Sequence, residues 1–404
     1  MTHSKYTESD LEQAALELLR DLGYSIEFGP TIAPDGENPE RQSYGDVVLI
    51  ERLRAAIERI NPSIPEEGMA DAMKKIKQLP LFSPDLITTN QEFQKMITDG
   101  VNVSYRNEEG TVVFNNIRLF DQKNLENNNW LAVNQFTIIE DKQNRRPDIL
   151  IFVNGLPVAI FELKNPTDIN ATIKSAFNQI QTYKREIPSL FSYNGICVIS
   201  DGIKDARMGS LTADLERFMK WRTLDGKNLA PASTPEMEIL IKSVFAKERL
   251  LDIISNFVVF DKIGNNQVKI LAAYHQYFAT NKAIERTMQA SSEKGDKRCG
   301  VVWHTQGSGK SLTMLFYSGK IIQLLDNPTI VVLTDRNDLD QQLFGQFSRC
   351  SSVLRQIPTQ AKDRTDLKSL LNVASGGVVF TTIQKFFPET KNEKHPLLSD
   401  RRNI

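Results

Sequence analysis

Two carboxylates and a lysine stand close together in the segment RRPDILIFVNGLPVAIFELKNP: Asp148, then Glu162 and Lys164. Cleaving a phosphodiester needs a divalent ion that neutralises phosphate charge and readies a water. Mg²⁺ is hard, takes oxygen ligands and is held by one or two carboxylates with waters retained. Asp148 and Glu162 supply such ligands. Side chains alternate along a strand, so Glu162 and Lys164 share one face while Leu163 turns into the core. Lys164 is then placed to orient the attacking water or to stabilise charge growing on the phosphate. An Asp at a strand start and a Glu-x-Lys are also common on solvated faces. Here both flanking strands are strongly apolar, and charged groups in buried strands need a purpose or a partner.

The hairpin that carries these groups decides whether they meet. Partners in an antiparallel pair have residue numbers of constant sum. A two-residue Asn154-Gly155 loop pairs Val153 with Leu156 and sets Asp148 opposite Phe161, with the acids on opposite faces of the sheet. An odd loop, or one bulge, sets Asp148 opposite Glu162. Pro157 disfavours a perfect ladder at this point. An active site therefore requires an odd loop or a bulge.

A second group of residues suits phosphate binding. CGVVWHTQGSGKSLTMLFYSGK reads as a buried strand, a Gly-rich loop and a helix, with Gly307, Ser308, Gly309, Lys310 and Ser311 as GSGKS. The glycines let backbone N–H groups turn inward around phosphates, and the helix beginning there adds its positive end. Lys310 is placed to reach the β- and γ-phosphates of ATP, and Ser311 its Mg²⁺.

Around these sites the chain reads as α/β. Thr7 to Gly23 is an amphipathic helix, with Thr7 and Asp10 as a capping box and Leu11, Ala14, Ala15, Leu18 and Leu19 as its apolar stripe. Helical patterns run from Gly45 to about Ile76, with a break at Asn61-Pro62, and through Gln91 to Thr98. A hairpin surrounds Glu109-Gly110. WLAVNQFTII reads as one strand, residues 167 to 186 as helix, YNGICVIS as a short buried strand, and a helix leads to Trp221. Residues 222 to 237 are the best linker candidate, with a loop pinned on a surface as the alternative. From Lys269 onward helix, strand, Gly-rich loop, helix, strand, helix and strand alternate, which predicts a parallel sheet. We place a domain boundary near residue 260, giving 1–260 and 261–404.

The 404 residues suffice for two or three domains, and 49 Lys and Arg against 50 Asp and Glu leave a formal charge of −1. That balance offers no global attraction to DNA, so nucleic acid must be bound by local patches. Cys197, Cys299 and Cys350 form no metal-spaced cluster and no disulfide framework. No apolar run approaches the ~18 residues of a membrane span. A soluble, cytoplasmic protein is expected.

Pro147-Asp148 with Glu162-Leu163-Lys164 resembles the catalytic motif of the PD-(D/E)xK nuclease superfamily, and Gln179 and Tyr183 match the Q-x-x-x-Y motif of one of its branches. The resemblance implies a mixed sheet flanked by helices, metal ligation by Asp148 and Glu162, catalysis by these with Lys164, and DNA contact by Gln179 and Tyr183. An early-helix glutamate sometimes joins such sites, with Glu8 and Glu12 as candidates beside solvated or capping roles. GSGKS resembles a Walker A motif, with His304 in place of the usual first small residue. Thr334-Asp335-Arg336-Asn337 and Thr381-Thr382 resemble the DNA-contacting motifs of superfamily 2 helicases, and AAYHQYF their adenine-recognition segment, with Gln276 as its amide. This implies a partial RecA-like domain. Hydroxyls and single cations at strand ends suit phosphate contact without sequence reading.

The order nuclease then motor, with LAVNQF, FELKNP, HTQGSGKSLTM and LTDRNDLDQQL, resembles the restriction subunit of type I restriction enzymes. In that family it joins methylation and specificity subunits, pulls double-stranded DNA by ATP hydrolysis and cuts it. The family's next strand would carry the acidic pair for ATP hydrolysis. The resemblance therefore implies an amino-terminal piece that binds nucleotide weakly without hydrolysing it. Two other readings stand beside this one. A recombination-repair helicase–nuclease fits the order and the phrases less well. A non-catalytic assembly or nucleotide-sensing module with a decayed nuclease site sits poorly with an intact Asp148, Glu162 and Lys164.

Overall fold

Thr7 opens the first helix through reciprocal bonds: its Oγ1 accepts from Asp10 N at 3.2 Å, and Asp10 Oδ2 accepts from Thr7 N at 2.8 Å. The helix α1 spans Glu8–Asp21 and buries Leu11, Glu12, Ala15, Leu16 and Leu19. The expected stripe is thus rotated slightly: Ala14 is exposed and Leu16 takes its place inside. The computed structural model describes residues 7–107, 109–165, 172–388 and 395–404. Its contacts divide the chain into two units, Met1–Ser255 with Val268–Leu271, and Asn256–Gln267 with Ala272–Ile404.

In the first unit, β1 (Ser25–Phe28) precedes helices α2 (Ile50–Ile60), α3 (Glu66–Lys77) and α4 (Leu86–Asp99) and the hairpin of β2 (Val101–Arg106) and β3 (Val112–Ile117). Then follow β4 (Trp130–Asn134), a small hairpin of β5 (Ile138–Glu140) and β6 (Gln143–Arg145), β7 (Ile149–Val153) and β8 (Leu156–Leu163). Helices α5 (Ile173–Glu186) and α6 (Pro188–Ser192), strands β9 (Ile196–Ser200) and β10 (Ala206–Gly209), and helices α7 (Glu236–Val244) and α8 (Lys247–Asn256) complete it. Its main sheet has the order β1-β4-β7-β8-β9-β10. The pairs β1/β4 and β8/β9 are parallel and the rest antiparallel, so the sheet is mixed. Every residue of β7, β8 and β9 is buried, as befits central strands covered on both faces.

Several expectations need correction. WLAVNQFTII is not one strand: it ends at Asn134, because Gln135 takes a left-handed φ of 57° that no ladder accommodates. No α-helix leads to Trp221. Ala206 and Met208 point inward while Arg207 pairs with Asp205, and this period of two makes β10. Residues 222–235 are a loop bound to the first unit, with Ser243 Oγ donating to Thr223 O at 2.9 Å. Residues 167–171 of the expected 167–186 helix lie outside the described residues.

Strands β11 (Val258–Ile263) and β12 (Asn266–Leu271) mark the passage between units. The second unit continues with α9 (Tyr274–Ser291), α10 (Lys310–Leu324), β13 (Ile330–Thr334), α11 (Asn337–Arg349), α12 (Ser351–Leu354), β14 (Thr359–Gln360), α13 (Arg364–Leu371) and β15 (Val378–Thr382). Its sheet runs β13-β15-β14 with all pairs parallel, as the alternation of strands and helices predicts. The strand expected at residues 299–304 is absent, and Val301 and Trp303 are each more than nine-tenths exposed. A strand exists only through its partners, and among the described residues none pairs with this segment. No helix among the described residues is long and apolar enough to cross a membrane.

Candidate active site

The β7–β8 hairpin turns tightly through Asn154 and Gly155, with φ of 53° and 75°, as Asn-Gly turns with both central residues left-handed do. The turn is enclosed: Asn154 Nδ2 donates to Leu119 O at 2.8 Å, and Gly155 O accepts from Leu49 N at 2.9 Å. Below it Val153 pairs with Leu156 and Phe152 with Pro157, but Ile151 pairs with Ala159. Val158 is the extra residue of a bulge. Ile149 therefore faces Phe161, and the same register carried one residue past the end of β7 puts Asp148 level with Glu162, where their carboxylate oxygens lie within 4.8 Å of each other. Of the two devices that bring the acids together, the chain uses the bulge, with a two-residue loop.

The sheet meets α1 at this point. Lys164 Nζ donates to Glu162 Oε1 at 2.6 Å and to Glu8 Oε1 at 3.0 Å. Asp148 Oδ2 accepts from Leu163 N at 2.6 Å. Carboxylate oxygens of Glu8, Asp148 and Glu162 lie within 4.8 Å of one another. Burial pushes both Asp148 and Glu162 well above the usual carboxylate range, and for Asp148 the neighbouring Glu162 charge adds to it. Burial opposes the Lys164 charge, but Glu162, Glu8 and Asp148 outweigh it and hold its pKa above that of an ordinary lysine.

One ammonium thus balances three carboxylates. Glu162 is 2% exposed, and its Oε2 is buried without a hydrogen bond. Such an atom costs on the order of 1–3 kcal/mol or more when left unsatisfied. From α5 the buried Tyr183 hydroxyl donates to Arg146 O at 3.4 Å and favours the charged form of the Glu162 carboxyl, with Gln179 beside it. Convergent oxygen donors, excess negative charge and an orphaned carboxylate oxygen together suit a hard divalent cation. Asp148, Glu162 and Glu8 would hold it.

Glu8 lies far from the hairpin in sequence, and no local pattern marks it. Glu12, one turn on, plays a different part: it accepts from Gln135 Nε2 at 2.8 and 2.9 Å and from Asn134 Nδ2 at 3.3 Å. Sequence reasoning gave Asn134 and Gln135 no role. A charged helix residue inside an otherwise apolar stripe was the available signal.

In the second unit Gly307 and Gly309 have φ of 80° and 78°, and a Cβ on Gly309 would lie 2.5 Å from Gln276 Nε2. Gly309 is the N-cap of α10 and offers no side-chain acceptor, so the first-turn N–H groups retain their positive field. Lys310 Nζ folds across the loop to His304 O at 3.1 Å and Thr305 O at 2.9 Å. Ser308 O lies 3.0 Å from His275 Nε2, and Ser311 is the second residue of α10. This loop fits a polyphosphate. Gln276 bonds Gly309 O at 3.0 Å and Ala273 N at 2.9 Å, so both ends of its amide hold protein. Arg336 is exposed beyond β13, whereas the Thr381 and Thr382 side chains are buried in β15. Arg336 is therefore the accessible member of that set.

The family model of the type I restriction enzyme R protein N terminus matches residues 5–217, and that of the SWI2/SNF2 ATPase matches 275–404. The type I restriction enzyme HindI endonuclease subunit of Haemophilus influenzae is 44% identical over 98% of this chain and 38% of that protein. The putative MjaIXP endonuclease subunit of Methanocaldococcus jannaschii is 35% identical over 98% of this chain and 39% of that protein. A Staphylococcus aureus type I endonuclease subunit, SauMSSORF170P, is 28% identical over 78% of this chain and 33% of that protein. The chain spans less than two fifths of the length of these curated relatives. The chain belongs to the type I restriction enzyme R protein family.

Proposed function

We propose that residues 1–260 form a PD-(D/E)xK nuclease that cuts double-stranded DNA with Mg²⁺, and that residues 261–404 are the first part of a RecA-like, ATP-binding DNA motor. The observation that carries this reading is the Val158 bulge, which sets Asp148 opposite Glu162 beside Lys164. A bound Mg²⁺ would neutralise phosphate charge and lower the pKa of a water. Lys164, held by Glu162 and Glu8, orients that water or stabilises negative charge on the phosphate. Gln179 and Tyr183 on α5 position the DNA beside the carboxylates. Lys310 and the Gly307–Gly309 loop hold ATP phosphates, Ser311 the associated Mg²⁺, and Gln276 sets the loop. Arg336 contacts the DNA backbone, with Thr381 and Thr382 behind it at the end of β15. In the complete assembly, methylation and specificity subunits would choose the site, in the cytoplasm.

The test is Mg²⁺-dependent nicking of plasmid DNA by the chain, alone and in the assembled complex, with Asp148→Ala and Lys164→Ala alongside. Nicking that both substitutions abolish supports the reading. Nicking that survives them, or no nicking even by the wild-type complex, overturns it.

A further inference from the structure

Gln135 stands where three supports of the carboxylate cluster converge. It ends β4 in a left-handed conformation, φ 57°, unusual for a residue other than glycine, asparagine or aspartate. Its backbone N–H donates to Asp148 O at 3.2 Å, the carbonyl of a cluster acid. Its side-chain amide grips both oxygens of Glu12, at 2.8 and 2.9 Å. Glu12 lies four residues after Glu8 on α1, hence on the same face and one turn away.

The arch that carries Gln135 is fixed from outside. Gly29 N donates to Asn134 O at 2.8 Å, and a Cβ on Gly29 would lie 2.4 Å from Gln135 O. On the far side the buried Arg41 guanidinium lies 3.7 Å from the Phe136 ring centroid and donates to Thr137 O at 2.7 Å. Strain at such a φ costs about 1–3 kcal/mol and persists only where the surroundings over-determine it. Here they do, and the result is an amide aimed at α1.

We propose that Gln135 is a positioning residue of the metal site: through Glu12 it sets the height of α1, and so brings Glu8 to the same centre as Asp148 and Glu162. This rests on the reading of the cluster as a divalent-cation site. The amide suits the task because its two N–H hydrogens match a carboxylate without adding charge to a site already rich in it. Gln135 does not touch the metal; it fixes the spacing of ligands far apart in sequence, Glu8 near the start of the unit and Asp148 near its middle.

The probe is Mn²⁺ alone, titrated into the 404-residue chain and followed by electron paramagnetic resonance. Gln135→Leu is expected to weaken Mn²⁺ binding about tenfold, in the range of lost outer-shell hydrogen bonds. Metal-free melting checks the fold of each variant. Glu8→Gln is expected to weaken binding similarly, and adding Gln135→Leu to it should weaken binding no further, because Gln135 acts through Glu8. Gln135→Glu should weaken binding by setting two carboxylates face to face, and Glu12→Gln added to it should restore binding. That exchange keeps the test decisive should Gln135→Leu misfold. Unchanged affinity in Gln135→Leu, or full additivity with Glu8→Gln, overturns the inference while leaving the metal site standing. No Mn²⁺ binding by the wild-type chain overturns the site and the inference together.

Discussion

Lys164 Nζ stands 2.6 Å from Glu162 Oε1 and 3.0 Å from Glu8 Oε1, so one ammonium joins the end of a central strand to the first turn of α1. Lys164→Met removes that cation and leaves buried carboxylates to face one another. Breaking a buried pair costs about 3 kcal/mol or more when the remaining charge cannot escape. Here it can, by taking a proton. Thermal melting without metal should show a large destabilisation at pH 8 and a clearly smaller one at pH 5.

The acids themselves give the wild-type chain a pH profile. Asp148 and Glu162 have folded pKa values above their ordinary ones. The folded state therefore keeps protons that the unfolded state releases, and stability falls as pH rises through this range. Without metal, the first unit should lose stability between about pH 5 and pH 8. Mg²⁺ should restore it at the upper end, by about 2.7 kcal/mol at a hundred times its dissociation constant. Asp148→Asn should remove most of the Mg²⁺ effect. Calorimetry with and without Mg²⁺ checks both statements.

Gly155→Ala tests the turn. Its φ is +75°, and a Cβ would lie 2.3 Å from Leu49 O. Backbone strain and overpacking together should cost about 3 kcal/mol. Denaturant unfolding measures the loss. Gly110→Ala, with φ +77° and open space around the site, should cost less.

Nucleotide binding should depend on Lys310 and Gln276 in different ways. Lys310→Ala removes a charge-assisted contact worth about 1.5–3 kcal/mol, or roughly ten- to a hundredfold in affinity. Gln276→Ala frees Gly309 O and loosens the loop, with a smaller loss that falls on ATP and inorganic pyrophosphate alike. A fluorescent ATP analogue, displaced by either, distinguishes the two. A Gln276→Ala loss confined to ATP would show that the amide reads the base.

The acids and the bulge were legible because strand partners obey simple arithmetic: with Asn154 and Gly155 as the loop, only an added residue sets Asp148 opposite Glu162. The parallel order of β13, β15 and β14 was legible from alternating periodicity. Glu8 was harder, since nothing in the first helix says which sheet end it will meet. The break at Gln135 was invisible because an apolar run continues through Phe136 to Ile139, and backbone handedness leaves no mark on such a run. The segment before GSGKS failed differently. Val301, Val302 and Trp303 have the composition of a strand, but composition supplies no partner.

The four residues Val268–Leu271 belong to the first unit while their neighbours on both sides belong to the second. Lys269 is enclosed there, with its ammonium donating to Asn90 Oδ1 at 2.8 Å and Asn194 O at 2.7 Å, and its carbonyl accepting from Thr212 Oγ1 at 3.0 Å. The first unit is therefore not one continuous run of chain. A gene exchange that joined the nuclease half of one relative to the ATPase half of another at residue 260 would strip the first of its own Lys269 and hand it a stranger's. Only a crossover beyond Leu271 would pass the nuclease on whole, and it would carry the Asn256–Gln267 stretch of the second unit with it as luggage.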